Sequence, residues 1–139
     1  MFIKIVLLAF IFLELSNVLA LYFAYGSKYA NAVGIFSAWE KSKQFPEIHE
    51  FVKYLVYWVA GVKLIFLFLL ATIVMFGDLN TQRMSLLALA IATASFFWRL
   101  FPLIRKLDKA GQIEPKNYSI VLGIMIFIFI VFFLIAGIV

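Results

Sequence analysis

Four long apolar segments constrain this chain more than any other feature of its sequence. They cover residues 2–25, 51–76, 84–104 and 118–139. An α-helix of about 20 apolar residues crosses a hydrocarbon core about 30 Å thick. Because lipid offers the backbone no hydrogen-bond partners, segments of this length are expected to be helices. The sequence therefore predicts an all-α integral membrane protein, with four transmembrane helices in an antiparallel bundle and a single domain over residues 1–139.

The composition agrees with a chain that lies mostly in lipid. Hydrophobic residues make up 66% of the 139 residues and charged residues 14%, against about 45–50% and about 25% in soluble domains. The absence of cysteine excludes disulfides and thiolate metal sites. His49 is the single histidine, which excludes a multi-histidine metal site within one chain. We therefore expect no bound metal and no cofactor.

The basic residues are distributed unevenly around the predicted spans. Lys4 and Arg83 lie on the face that holds both termini. Nine others lie on or near the face that holds loop one (26–50) and loop three (105–117): Lys28, Lys41, Lys43, Lys53, Arg99, Arg105, Lys106, Lys109 and Lys116. The positive-inside rule places these loops in the cytoplasm and both termini outside a plasma membrane. We attribute the net charge of +5 to this topology rather than to nucleic-acid binding.

The first span and loop one each contain a further sequence signal. The first span resembles a signal peptide that ends in the small-residue site 18–20, but its apolar run continues through Tyr25, so we expect the segment to be retained. In loop one, aromatic and charged residues between Ala30 and Lys41 predict a short interfacial amphipathic helix, with Trp39 as an interfacial anchor.

One acid and one base stand alone in the apolar segments. Glu14 is near the middle of the first span and Lys63 near the middle of the second. At about 1.5 Å per residue, each lies about 16–18 Å deep, close to the bilayer midplane. An unpaired charge there costs about 2.5–3.5 kcal/mol, so neighbouring helices are expected to pair the two; neutralisation by proton transfer is the other solution. Asn17, one turn after Glu14, shares its helix face.

Three interpretations of Glu14, Asn17 and Lys63 follow. They form a ligand-binding or proton-binding site, a structural ion pair that fixes the register of two helices, or a contact with another chain. A dry, closed pair would favour the structural interpretation. A cavity that reaches Glu14 would favour a site.

A second candidate set lies at the end of the third span. Ser95 and Arg99 are four residues apart on the expected helix, and Arg105 and Lys106 follow closely. These residues are candidates for anion or lipid head-group contacts, although the positive-inside bias alone also explains the basic members.

The start of the second span holds a further group of ionisable residues. Glu47 and Glu50 share a helix face there, and His49 points away from it. We interpret them as acids that complement a helix N-terminus, beside a solvated histidine, and not as a metal site.

A carboxylate in the first of four short spans resembles the small multidrug resistance exporters, in which such a group exchanges protons for cationic drugs. The resemblance covers Glu14 alone. The long loop one and Lys63 depart from that pattern, because a lysine repels a cationic substrate. We therefore do not assign the chain to that family.

The expected function follows from what the sequence contains. No nucleophile–base pair, glycine-rich phosphate loop or HExxH motif occurs, so no enzymatic activity is expected. The sequence predicts a small binding or accessory module of the membrane, whose partners are the lipid bilayer and either further copies of this chain or another membrane protein. The alternative is a proton-coupled transporter of a small solute that works as an oligomer.

Overall fold

The computed structural model describes residues 1–138, and every regular element among them is helical. The α-helices are α1 (Phe2–Phe23), α2 (Ser37–Ser42), α3 (Pro46–Phe76), α4 (Leu79–Ala94), α5 (Leu100–Lys109) and α6 (Tyr118–Ile138). Short 3₁₀ turns cover Val33–Ile35 and Ser95–Phe97. The prediction of an all-helical chain is confirmed for the described residues. Val139, the last residue of the predicted fourth span, lies outside them.

Four helical stretches are long and apolar enough to cross a membrane. They are α1, α3, the stretch Leu79–Lys109 and α6, and they correspond to the four predicted spans. α3 begins at Pro46, five residues before the expected start of the second apolar segment. Proline favours the first helical position because its φ is fixed and its missing N–H would have no partner there.

The third stretch is broken within the region that the sequence predicts as a single span, residues 84–104. α4 ends at Ala94, a 3₁₀ turn follows, and α5 begins at Leu100. Pro102 accounts for the position of the break, because its ring would clash with the carbonyl of Trp98 in a continuous helix. After the break, α5 packs on α6.

The long helices meet in one apolar cluster near the ends that hold the two termini. Its buried members come from α1, α3, α4 and α6: Ile3, Val6, Leu7, Phe10, Leu70, Val74, Leu86, Leu89, Ala90, Phe133 and Ala136. The Phe10 ring lies at its centre, with centroid distances of 5.0 Å to Phe133 and 5.7 Å to Phe129. Such edge-to-face pairs contribute about 0.5–1.5 kcal/mol each beyond area burial. This end of the helix assembly is therefore closed.

Loop one is less helical than the sequence predicted. In place of one helix from Ala30 to Lys41, the chain forms the Val33–Ile35 turn and then α2. Gly34 explains the difference, because a Cβ on it would lie 2.3 Å from the Gly26 carbonyl carbon. Close packing of two backbone segments at this point requires glycine and prevents a regular amphipathic helix.

The environment of His49 also differs from the expectation. Trp39 is buried and is not an exposed interfacial anchor. The His49 ring lies against Trp39 with centroids 4.2 Å apart, and His49 Nδ1 is 2.8 Å from Ser42 Oγ. His49 is thus partly buried and not fully solvated. The prediction considered one helix face only, whereas Trp39 and Ser42 also contact this side chain.

Replacing Gly34 by alanine is expected to destabilise the protein by about 1–3 kcal/mol, the usual cost of overpacking. The added methyl group must displace backbone atoms of Gly26 and Ser27. Unfolding of the purified protein in mixed micelles, followed by circular dichroism, measures the change. Gly61→Ala in α3 is the control, because a Cβ there meets only the Tyr22 hydroxyl, at 3.7 Å. Equal stability of the two variants would contradict the proposed close packing.

Loop one also docks on loop three. Ser37 N–H donates to the Gln112 carbonyl at 2.9 Å, and Glu114 N–H donates to the Ile35 carbonyl at 3.0 Å. The Lys28 ammonium donates to Glu114 Oε2 at 2.8 Å. These contacts hold together two loops that are far apart in the sequence; Lys28 and Glu114 are separated by 86 residues.

The Lys28–Glu114 contact predicts a pH dependence of this docking. The hydrogen bond and the charge of Lys28 hold the pKa of Glu114 below its ordinary value of 4.5, and Glu114 raises the pKa of Lys28 above 10.5. The stabilisation is thus fully present above the ordinary carboxyl pKa and is lost as the pH falls through the lowered one. It is also lost as the pH rises through the raised pKa of Lys28.

Hydrogen–deuterium exchange of the Ile35 and Ser37 region measures this docking. We expect Glu114→Gln to speed exchange slightly at neutral pH, because both side chains are exposed and such pairs contribute little. The difference from the unmodified protein should disappear in acid. A difference that persists unchanged in acid would show that the effect does not come from this ion pair.

Candidate functional site

The structure brings Glu14, Asn17 and Lys63 together between α1 and α3. Lys63 Nζ donates to Glu14 Oε2 at 2.7 Å and to Asn17 Oδ1 at 2.8 Å. The side chains of Glu14 and Lys63 remain 20% and 32% exposed, respectively. The two charges are therefore directly paired, and the pair is not sealed on all sides.

A cavity of about 770 Å³ reaches this ion pair. One wall comes from α1 and α3 and includes Leu21 and Val56, and the other comes from α5 and α6 and includes Ile104 and Met125. Most of the lining is apolar, and among residues 1–138 the charged members of the lining are Glu14 and Lys63 alone. Apolar walls with a few converging polar groups are typical of ligand sites in proteins.

Two features of the fold contribute to this cavity. Phe96, in the break at residues 95–97, and Leu100, at the start of α5, line it together with Val59 of α3. Loop one covers one end of the cavity with Ala32, Val33 and Phe36. At the opposite end, the contacts of Phe10 with Phe66, Phe129 and Phe133 close the helices together.

Hydrogen bonds connect the site formed by Glu14, Asn17 and Lys63 to loop one. Asn17 Nδ2 donates to the Asn31 carbonyl of loop one at 3.0 Å. The Tyr118 hydroxyl at the start of α6 donates to Asn31 Oδ1. Asn17 thus links Lys63 to loop one, and Asn31 links loop one to the opposite wall. The sequence indicated Asn17 by its helical spacing from Glu14 but gave no signal for Asn31.

Ser95 and Arg99 do not form the helical pair that their spacing suggested. Ser95 lies in the 3₁₀ turn, where its hydroxyl donates to the Ala92 carbonyl at 2.6 Å. The Arg99 guanidinium lies 5.2 Å from the centroid of the adjacent Trp98 ring. The broken helix therefore removes the shared face on which the predicted anion contact depended.

Arg105 and Lys106 are also separated in the structure. Lys106 is exposed, whereas Arg105 Nη1 donates to Ser119 Oγ at 3.3 Å and lies 3.9 Å from Asp108 Oδ2. Arg105 thus belongs to an internal contact between α5 and α6. The structure does not gather the four candidates Ser95, Arg99, Arg105 and Lys106 into one site.

Asp108 is a structural residue that the sequence analysis missed. Its Oδ1 accepts from Asn117 N–H at 3.1 Å, and its Oδ2 accepts from Ser119 N–H at 2.9 Å and from Ser119 Oγ at 2.5 Å. The carboxylate, only 3% exposed, caps the N-terminus of α6 from the end of α5. Its distance of about ten residues from its partners places it beyond the local capping patterns of a sequence.

Glu47, His49 and Glu50 do not converge on a common point. Glu50 Oε1 accepts from Lys53 at 2.8 Å, and His49 is engaged by Ser42. Among residues 1–138, no group of three or more histidine, cysteine, aspartate or glutamate side chains is arranged to hold a metal ion.

Comparisons with protein-family models, with curated proteins and with solved structures found no match to this chain.

Proposed function

We propose that this chain is a multi-pass membrane protein that acts as a binding module. It holds the polar group of a small ligand at Glu14, Asn17 and Lys63, and the apolar part of the ligand occupies the rest of the cavity that these residues line. The observation that carries this proposal is the cavity of about 770 Å³ that reaches the ion pair. A pair with a purely structural role would have no need of such a space beside it.

The proposal places the four long helices in a plasma membrane as an antiparallel bundle. The contacts between α1 and α3 support this arrangement, because Phe10 meets Phe66, Glu14 meets Lys63 and Tyr22 meets Tyr57. Residue numbers therefore rise along α1 while those of the contacted residues fall along α3, as expected for two antiparallel helices. The basic residues of loops one and three support a cytoplasmic position for those loops.

A proton-coupled transporter is the second candidate, since the cavity reaches the Glu14 carboxylate. Transport requires a second access route from the face of the termini. The aromatic cluster around Phe10 closes that route in this conformation. Binding from one side is therefore the function that the described geometry supports better.

The test is the retention of a bound small molecule in nanodiscs, measured by native mass spectrometry. We expect a bound molecule in the unmodified protein and its loss in Ala20→Phe, because Ala20 lines the cavity between the polar group and loop one. Leu19→Phe is the matched control, as its side chain is exposed on the other side of α1. Equal occupancy in both variants would contradict binding in the cleft. Proton flux in proteoliposomes, lost in Glu14→Gln, would instead favour the transporter.

A further inference from the structure

We infer that the ligand of this cleft is an uncharged amphiphile, with a head group that both donates and accepts a hydrogen bond, such as a long-chain alcohol. We also infer that it enters from the hydrocarbon side of the membrane. The inference rests on the binding function proposed above and adds the chemistry of the ligand to it. Three observations carry it: the charge of the site, the hydrogen-bonding groups that remain available, and the exposed apolar side chains in the lining of the cavity.

The polar site has no net charge. Lys63 and Glu14 neutralise each other at 2.7 Å, and the other polar lining groups are amides and hydroxyls. A ligand with an ionised head group would leave one uncompensated charge at the depth of the bilayer midplane, which costs several kcal/mol. The site therefore favours a head group without net charge.

The contacts among residues 1–138 leave one N–H of Lys63 and one oxygen of Glu14 available for a ligand. An ammonium has three N–H donors, and Lys63 uses one toward Glu14 and one toward Asn17. Glu14 Oε2 receives the bond from Lys63, whereas Glu14 Oε1 receives no hydrogen bond from residues 1–138. A hydroxyl group satisfies both, because it accepts from the ammonium and donates to the carboxylate.

Exposed side chains line the cavity both on the helices and in loop one. The apolar Val59 on α3 and Leu100 at the start of α5 are 47% and 54% exposed, and Tyr29 and Asn31 of loop one are exposed as well. Val59 and Leu100 belong to stretches that are apolar enough to cross a membrane. With these stretches in a bilayer, their exposed side chains face hydrocarbon, so an amphiphile from the membrane reaches the cavity past them, chain and head group together.

The experiment uses three photoactivatable probes with the same long alkyl chain and different head groups: an alcohol, a carboxylate and a primary ammonium. The full chain in nanodiscs is labelled with each probe, and mass spectrometry measures labelling at the cavity. We expect the alcohol to label at least about tenfold more efficiently than either charged probe, which corresponds to about 1.4 kcal/mol. Excess unlabelled alkanol should compete with it. Ala20→Phe should abolish the labelling, and Leu19→Phe should preserve it.

A charge change at the site sharpens the test. Glu14→Gln leaves the Lys63 ammonium without its carboxylate, so labelling by the carboxylate probe should rise relative to the alcohol. Equal or stronger labelling of the unmodified protein by a charged probe, still abolished by Ala20→Phe, would overturn the inference and leave the binding function intact. If Ala20→Phe changes labelling by none of the three probes, both the inference and the proposed function are overturned.

Discussion

Replacing Lys63 by methionine is expected to destabilise the protein by about 2–4 kcal/mol. This is slightly less than the loss of about 3–5 kcal/mol for breaking a fully buried ion pair, because Glu14 and Lys63 are partly exposed. The substitution keeps most of the side-chain volume but removes the ammonium 2.7 Å from Glu14 Oε2 and 2.8 Å from Asn17 Oδ1. It leaves the Glu14 carboxylate without a counter-charge in apolar surroundings. Unfolding in mixed micelles, followed by circular dichroism, measures the loss of free energy.

Two further variants isolate the pairing. Adding Glu14→Gln to Lys63→Met removes the remaining charge, so the double variant should recover much of the lost stability. Lys53→Met is the matched control on the same helix. Lys53 is 29% exposed and pairs with Glu50 at 2.8 Å, but Glu50 is 69% exposed and stays solvated without its partner, so this loss should change stability little. A double variant no more stable than the worse single variant would contradict pairing.

The four long helices and the Glu14–Lys63 contact were accessible from the sequence because both follow from one-dimensional rules. Hydropathy over about 20 residues identifies an apolar helix. Equal depth in two consecutive helices identifies two charges that meet. These arguments require no knowledge of how distant parts of the chain pack, so the structure agrees with them.

The cavity was not accessible in the same way. Its lining includes residues of the break before α5 and of loop one, and loop one is held by the close packing of Gly34 on Gly26 and by the contact of Lys28 with Glu114. Pro102 is the one local signal among these, and its clash with the carbonyl four residues earlier marks the place of the break. The other contacts join segments whose proximity only the tertiary fold determines.

The environment of His49 illustrates the same limit on a smaller scale. Helical periodicity predicts that Glu47 and Glu50 share one face of α3 and that His49 lies on another. It does not predict that Trp39 and Ser42 of loop one return to cover that histidine. Local periodicity describes one helix, whereas burial depends on its neighbours.

Replacing Asp108 by alanine is expected to destabilise the protein by about 2–4 kcal/mol. The variant loses an N-terminal cap, which costs about 0.5–2 kcal/mol. It also leaves buried donors of Ser119 unsatisfied, at about 1–3 kcal/mol. Ser119 is fully buried, so water does not replace the lost carboxylate easily. The same unfolding assay measures the change.

Asp78→Ala is the matched control for this prediction, because Asp78 caps the N-terminus of α4 through Thr81 N–H in an exposed position. The loss of stability in Asp78→Ala should be smaller, and equal losses in the two variants would show that burial of the Asp108 cap adds nothing.

The Asp108 carboxylate also affects the cavity beside Glu14 and Lys63. Asp108 fixes the first turn of α6, where the Tyr118 hydroxyl donates to Asn31 of loop one. Asp108→Ala should therefore reduce ligand retention as well as stability, whereas Asp78→Ala should reduce stability alone.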